Sequence, residues 1–139
     1  MSNVLAAIGR GQIRVLEDRI RARRSNFQHY LKRLGDIPGI YFLPEPKEFF
    51  SNRWLTTIIV DPEKTGGVSR EDIRQALEKE NIESRPVWKP MHMQPVFAHA
   101  RFYESRVSEA LFEKGLCLPS GSALTEEDLE RVVTVVRGQ

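Results

Sequence analysis

Apolar residues recur at Leu5, Ile8, Ile13, Leu16, Ile20, Phe27, Leu31 and Leu34. That spacing keeps one stripe of a helix with a period near 3.6 apolar. It predicts a single long helix over residues 1–35, stopped at Gly35 with Pro38 soon after. At ~1.5 Å per residue such a helix spans roughly 45 Å, long for a chain of this size, and is expected to lie across or run into another body. Gly9 and Gly11 weaken its first turns and are the expected places for a bend.

The pattern then shortens. Ile40 to Leu43 is a strand candidate closed by Pro44 and Pro46. Trp54 to Val60 is the clearest strand, rich in β-branched and aromatic residues and ended by Asp61-Pro62. Ser69 to Asp72 has the form of a capping box with aspartate in the glutamate position. The helix it opens turns Ile73, Ala76 and Leu77 inward and stops near Asn81. A strand from Ile82 to Trp88 follows, then a proline-punctuated loop, a short helix from Val107 to Lys114 ended by Gly115, and a strand at Leu116 to Leu118. Thr125 caps a last helix with Leu129, Val132, Val133 and Val136 on its apolar side. This order predicts an α+β domain: a small, mostly antiparallel sheet with helices packed on one face, preceded by the long N-terminal helix. Residues 1–139 are expected to form one domain.

Composition narrows the function. The 139 residues are 40% hydrophobic and 29% charged, the balance of a globular protein. No apolar run reaches the roughly 18 residues of a membrane helix, and no basic n-region precedes the apolar start, so neither a signal peptide nor a membrane partner is expected. The net charge of +2 is small for a nucleic-acid binder. Arg10, Arg14, Arg19, Arg21, Arg23 and Arg24 make the first helix basic, but without interleaved aromatics or a second basic element. They are read as a solvated face, or one meeting an acidic partner, and no nucleic acid is expected. Cys117 is the only cysteine, set between two leucines; it is read as a buried, inert thiol in a cytoplasmic protein. His29 and His99 have no carboxylate or cysteine at ligand spacing, so no metal is expected.

The segment richest in chemistry is Arg85-Pro86-Val87-Trp88-Lys89-Pro90-Met91-His92. It gathers a guanidinium, an indole, an ammonium and an imidazole at a strand end and in a stiff loop, a common placement for binding residues. Arginine offers a planar fork for phosphate and lysine a point charge. The bland alternative packs Trp88 in the core and leaves both cations in solvent. Pro119 to Ser122 either cradles an anion with its backbone N–H groups or is a plain strand-to-helix turn.

Met1 to Gln12, Asn52 to Thr57, Arg85 to Phe97 and Cys117 to Ser122 resemble, in order and spacing, the C-terminal part of the DegT/DnrJ family of sugar aminotransferases. The resemblance covers essentially the whole chain, and the tryptophan–histidine loop is most similar to members acting on nucleotide-linked amino-sugar precursors. It implies the small domain of the aspartate-aminotransferase type of fold, within a homodimer whose large domain holds pyridoxal phosphate on a lysine. It implies amino transfer, usually from glutamate, to a nucleotide-linked keto sugar, as in polysaccharide biosynthesis. The cofactor lysine lies upstream of this segment in the family, so the large cofactor-binding domain is expected to be absent from this chain. The chain alone is expected to hold no cofactor, to carry no catalytic residue and to be inactive. Carried over by position, the substrate-binding residues are Arg85, Trp88, Lys89 and His92, the two cations toward a diphosphate and the two rings toward the sugar or nucleotide. The competing reading is a free-standing regulatory or ligand-binding α+β module.

Overall fold

The computed structural model describes residues 2–103 and 106–139. Met1, which opens the first family-like motif, lies outside them. The predicted long helix is two helices, α1 (Asn3–Arg14) and α2 (Leu16–Leu34). The break falls at Val15, not at Gly9 or Gly11, both of which sit in regular helix. Val15 has φ −112° and ψ 9°, and its N–H reaches back only to the Gln12 carbonyl, at 3.2 Å. A β-branched side chain is less at ease in a helix than its neighbours, and the ladder tightens there into a three-residue turn. No residue of α1 is buried, whereas α2 buries Asn26, Phe27, Tyr30 and Leu34.

The strands are β1 (Ile40–Phe42), β2 (Thr56–Val60), β3 (Arg85–Pro86) and β4 (Gly115–Leu118). They form one sheet in the order β1-β2-β4-β3, with every pairing antiparallel. The helices α3 (Arg70–Lys79), α4 (Val107–Lys114) and α5 (Glu126–Arg137) complete the fold. The predicted capping box forms at Ser69 with Asp72, and the predicted cap at Thr125 proves to be a second one, with Asp128. The strand expected over residues 82–88 is cut to two residues. Asn81 turns the chain at φ 58°, and Pro86 and Pro90 have no N–H to give to a ladder.

One face of the sheet carries the core. Ile58 and Val60 of β2 and Leu116 and Leu118 of β4 pack against Tyr30 and Leu34 of α2, Ile73 and Leu77 of α3, and the apolar stripe of α5. Tyr30 is fully buried and donates its hydroxyl to the Pro119 carbonyl at 3.0 Å; burial pushes its ionisation well above the ordinary phenol range. The other face is covered only in part, by α4 at one end. There Gly115 sits so close beneath α4 that a Cβ on it would lie 2.4 Å from the Leu111 carbonyl and 2.8 Å from the Val87 side chain.

Candidate functional site

Antiparallel pairing aligns residues of the less covered face in rows. Thr57 pairs with Cys117, and Cys117 with Arg85, so these three stand side by side across three strands. The next row is Tyr41, Ile59 and Gly115. Thr57 Oγ1 lies 3.7 Å from Cys117 Sγ. Cys117 is the buried member of the row, only 8% exposed.

Two cavities lie along this face, with Trp88 in the wall of both. One, of about 480 Å³, runs from Trp54 and Leu55 across Cys117 to Glu83, Ser84 and Arg85. The other, of about 460 Å³, is almost wholly apolar, lined by Tyr41, Phe42, Ile59, Val87 and Leu111 among others. Trp88 is 70% exposed and Trp54 59%, their ring centroids 6.2 Å apart with planes at 31°. The structure thus brings Arg85 and Trp88 to one cavity. Arg85 is exposed and reaches Glu83 through Nε at 2.7 Å. Lys89 is exposed and lines neither cavity; its carbonyl accepts from the Gln94 amide at 3.4 Å.

His92 also lines neither cavity. It lies in the short 3₁₀ turn Met91–Met93, its Nε2 2.8 Å from Glu109 Oε1 on α4, its ring stacked on Phe102 at 4.4 Å and 9°. These contacts tie the proline-rich loop to α4.

Trp54 is held from the backbone. Its N–H donates to Asn52 Oδ1 at 3.1 Å, and its carbonyl accepts from the Arg23 guanidinium. Arg53 before it adopts φ 49°, donates to the Leu43 carbonyl at 3.0 Å, and lays its guanidinium 3.7 Å above the Phe27 ring. Two residues on, the buried Thr56 N–H donates to Ser120 Oγ at 2.7 Å, and that hydroxyl donates to the Leu118 carbonyl at 2.9 Å. The loop before Trp54 is clasped by a two-pronged ion pair, Arg24 to both Glu45 oxygens at 2.9 Å, with the Ser51 N–H on the same carboxylate. Hydrogen bonds from Arg24 and then from the Ser51 backbone hold the Glu45 carboxyl at about 2.

The arginines of α2 are therefore not simply a solvated face. Arg23 and Arg24 reach backbone carbonyls of two loops, and Arg19 donates to Ser122 at 3.3 Å. The Pro119 to Ser122 turn offers its carbonyls to α2: Pro119 to Tyr30, Ser120 to Arg23 and Gly121 to Asn26. That is the plain strand-to-helix turn of the two readings. Sequence reasoning missed Trp54 and Glu109 as members of the site. Trp54 reads as the first residue of a strand, and Glu109 as one more surface charge on a short helix.

Among the described residues no group of three or more His, Cys, Asp or Glu side chains stands where it could hold a metal ion, and no helix is long and apolar enough to cross a membrane.

Known proteins resemble this chain in sequence and in fold. Residues 1–137 match the DegT/DnrJ/EryC1/StrS aminotransferase family. The chain is 46% identical over 140 residues to EpsN of Bacillus subtilis, described as a pyridoxal phosphate-dependent aminotransferase; the match covers 98% of this chain and 35% of that protein. It is 30% identical to the GDP-perosamine synthase of Caulobacter vibrioides, covering 98% of this chain and 36% of that protein. Among solved structures, the aminotransferase TlmJ from Streptoalloteichus hindustanus superposes with a TM-score of 0.84 at 25% identity, over 96% of this chain and 35% of that one. A family aminotransferase from Brucella abortus superposes with a TM-score of 0.78 at 26% identity, over 92% of this chain and 33% of that one. The chain thus spans about a third of the length of the relatives it matches. In sequence and in fold it belongs to the DegT/DnrJ/EryC1/StrS aminotransferase family.

Proposed function

We propose that this chain is the small, substrate-facing domain of an enzyme that moves an amino group, with glutamate as donor, onto the keto carbon of a nucleotide-linked sugar. The observation that carries the reading is the cavity where Trp88 and Arg85 meet on the sheet face away from the helical core. An exposed indole beside an exposed guanidinium suits a ring next to a phosphate. The names of relatives support a nucleotide-sugar substrate: GDP-perosamine synthase, and the dTDP-4-amino-4,6-dideoxy-D-glucose transaminase of Shigella dysenteriae at 27% identity. In this reading Arg85 exchanges Glu83 for the diphosphate, Lys89 adds a second charge from the loop, and His92 keeps that loop in place through Glu109.

Pyridoxal phosphate supplies the electron sink for such a transfer. The lysine that holds it must present a neutral amine. Neither cavity is lined by a lysine. Lys64 and Lys114 are held in the charged form by the hydrogen bonds they donate, to the Tyr41 hydroxyl and the Asp61 carboxylate respectively, each at 2.8 Å. In this reading the cofactor is bound by a large domain, in a cytoplasmic homodimer.

The test is a chimera in which this chain replaces the matching third of the Bacillus subtilis relative. Amino transfer from glutamate to a keto nucleotide-sugar, lost on Arg85→Ala with cofactor loading intact, is the expected result. A chimera that folds and loads cofactor yet transaminates no keto nucleotide-sugar would refute the reading.

A further inference from the structure

Resting on that reading, we propose that Trp54 and Trp88 together form the stacking shelf for the base of the nucleotide, with Trp54 as a residue that sets affinity for the base.

Two indoles standing 59% and 70% exposed leave apolar surface in water that neither the core nor α4 covers. Their rings are close but not stacked: 6.2 Å apart and tilted by 31°, they make a wedge. A flat heteroaromatic ring held at ~3.5 Å from each face needs a separation of about 7 Å, so opening the wedge by about 1 Å admits one. Stacking of this kind suits any nucleobase, because every base has a π-face.

The surroundings supply the rest of a nucleotide's chemistry. Ser84 lines the same cavity with an Oγ that has no hydrogen-bond partner among the described residues, and the polar edge of a base would give it one after a rotation about χ1. Arg85 stands at the rim, its guanidinium tied among the described residues only to the exposed Glu83, where a phosphate would meet it. Trp54 can bear a load without the fold moving: its backbone is fixed by Asn52 and Arg23 while its ring stays free.

The chain has only two tryptophans, so the two indole Nε1–H resonances report this site alone. Uridine, thymidine, guanosine and their diphosphates are titrated into the 139-residue protein, with inorganic pyrophosphate and glucose 1-phosphate as controls. Saturable shifts of both indole signals with at least one free nucleoside, and none with pyrophosphate, are expected. Trp54→Ala should weaken nucleoside binding on the order of tenfold, and Trp54→Phe should restore most of it. Indole signals unmoved by every nucleoside at ~10 mM would overturn the proposal, since a base stacked between two indoles is expected to bind with a Kd on the order of 1 mM. So would equal shifts with pyrophosphate, or unchanged affinity in Trp54→Ala. A chimera that transaminates while nucleosides leave both indoles unmoved would sink this inference alone; nucleoside binding alongside an inactive chimera would support it while the functional reading fell.

Discussion

His92 and Glu109 join the proline-rich loop to α4, imidazole Nε2 to carboxylate Oε1 at 2.8 Å, with the other side of the imidazole ring occupied by Phe102. The pair fixes where Trp88 can stand, because the loop leaves β3 at Val87 and returns to the sheet through α4. Glu109→Ala is expected to free the loop without unfolding the sheet. Limited proteolysis within residues 89–103 should quicken several-fold while the denaturation midpoint moves little, since the pair ties a loop to α4 and touches no residue of the core. Equal cleavage rates in the two proteins would show that the loop is held by other contacts.

Gly115 is pinched between the Leu111 carbonyl and the Val87 side chain. A methyl group there cannot be accommodated by a side-chain movement alone, because its nearest neighbour is backbone. Gly115→Ala is expected to cost about 1–3 kcal/mol by forcing α4 off the sheet. Chemical denaturation measures this, and a loss below the error of the method would mean α4 is not seated as described.

Ser120 bridges two strands, accepting from the Thr56 N–H and donating to the Leu118 carbonyl, all out of contact with water. Ser120→Ala removes the acceptor and leaves a buried amide unpaired, at a cost of about 1–3 kcal/mol. Slower exchange of the Thr56 amide in the wild type than in the variant is the direct readout.

The clasp before Trp54 has a sign that pH can test. Glu45 is held at about 2 in the fold by Arg24 and the Ser51 backbone, below its unfolded value near 4.5. A depressed carboxyl contributes stability above the unfolded value and loses it as pH falls through the folded one. Loop 44–53 should therefore loosen between about pH 4.5 and pH 2, the wild type losing its advantage over Glu45→Gln across that window. Parallel acid curves for the two proteins would contradict the assignment.

Much of the fold was legible in the sequence because local chemistry and burial pointed the same way. Ser69–Asp72 and Thr125–Asp128 cap helices by the rule that reads them, and the inward residues of α5 are those its period selects. The strand after Asn81 was overread: Ile82, Val87 and Trp88 have the composition of a strand, but Pro86 and Pro90 leave too few N–H groups to build one. Of the candidate site, Arg85 and Trp88 could be named from the string. The partnership of Trp88 with Trp54 could not, since it depends on β4 entering the sheet between β2 and β3. His92 was legible as a loop residue of note, but its partner Glu109 is 17 positions away on another element.

The break at Val15 divides the chain into two thermodynamic regimes. Beyond it, α2, α3, α5, β1, β2 and β4 share side chains in one core and must melt with it. Before it, α1 is 12 residues with no buried side chain, near the length at which a lone helix is marginal in water. Its amides should exchange by local fraying, indifferent to denaturant, while those of β2 and β4 report global opening. The apolar stripe of Val4, Leu5 and Ile8 thus adds nothing to the cooperative unit that follows it, and the order of α1 is set by whatever surface that stripe is given to rest on.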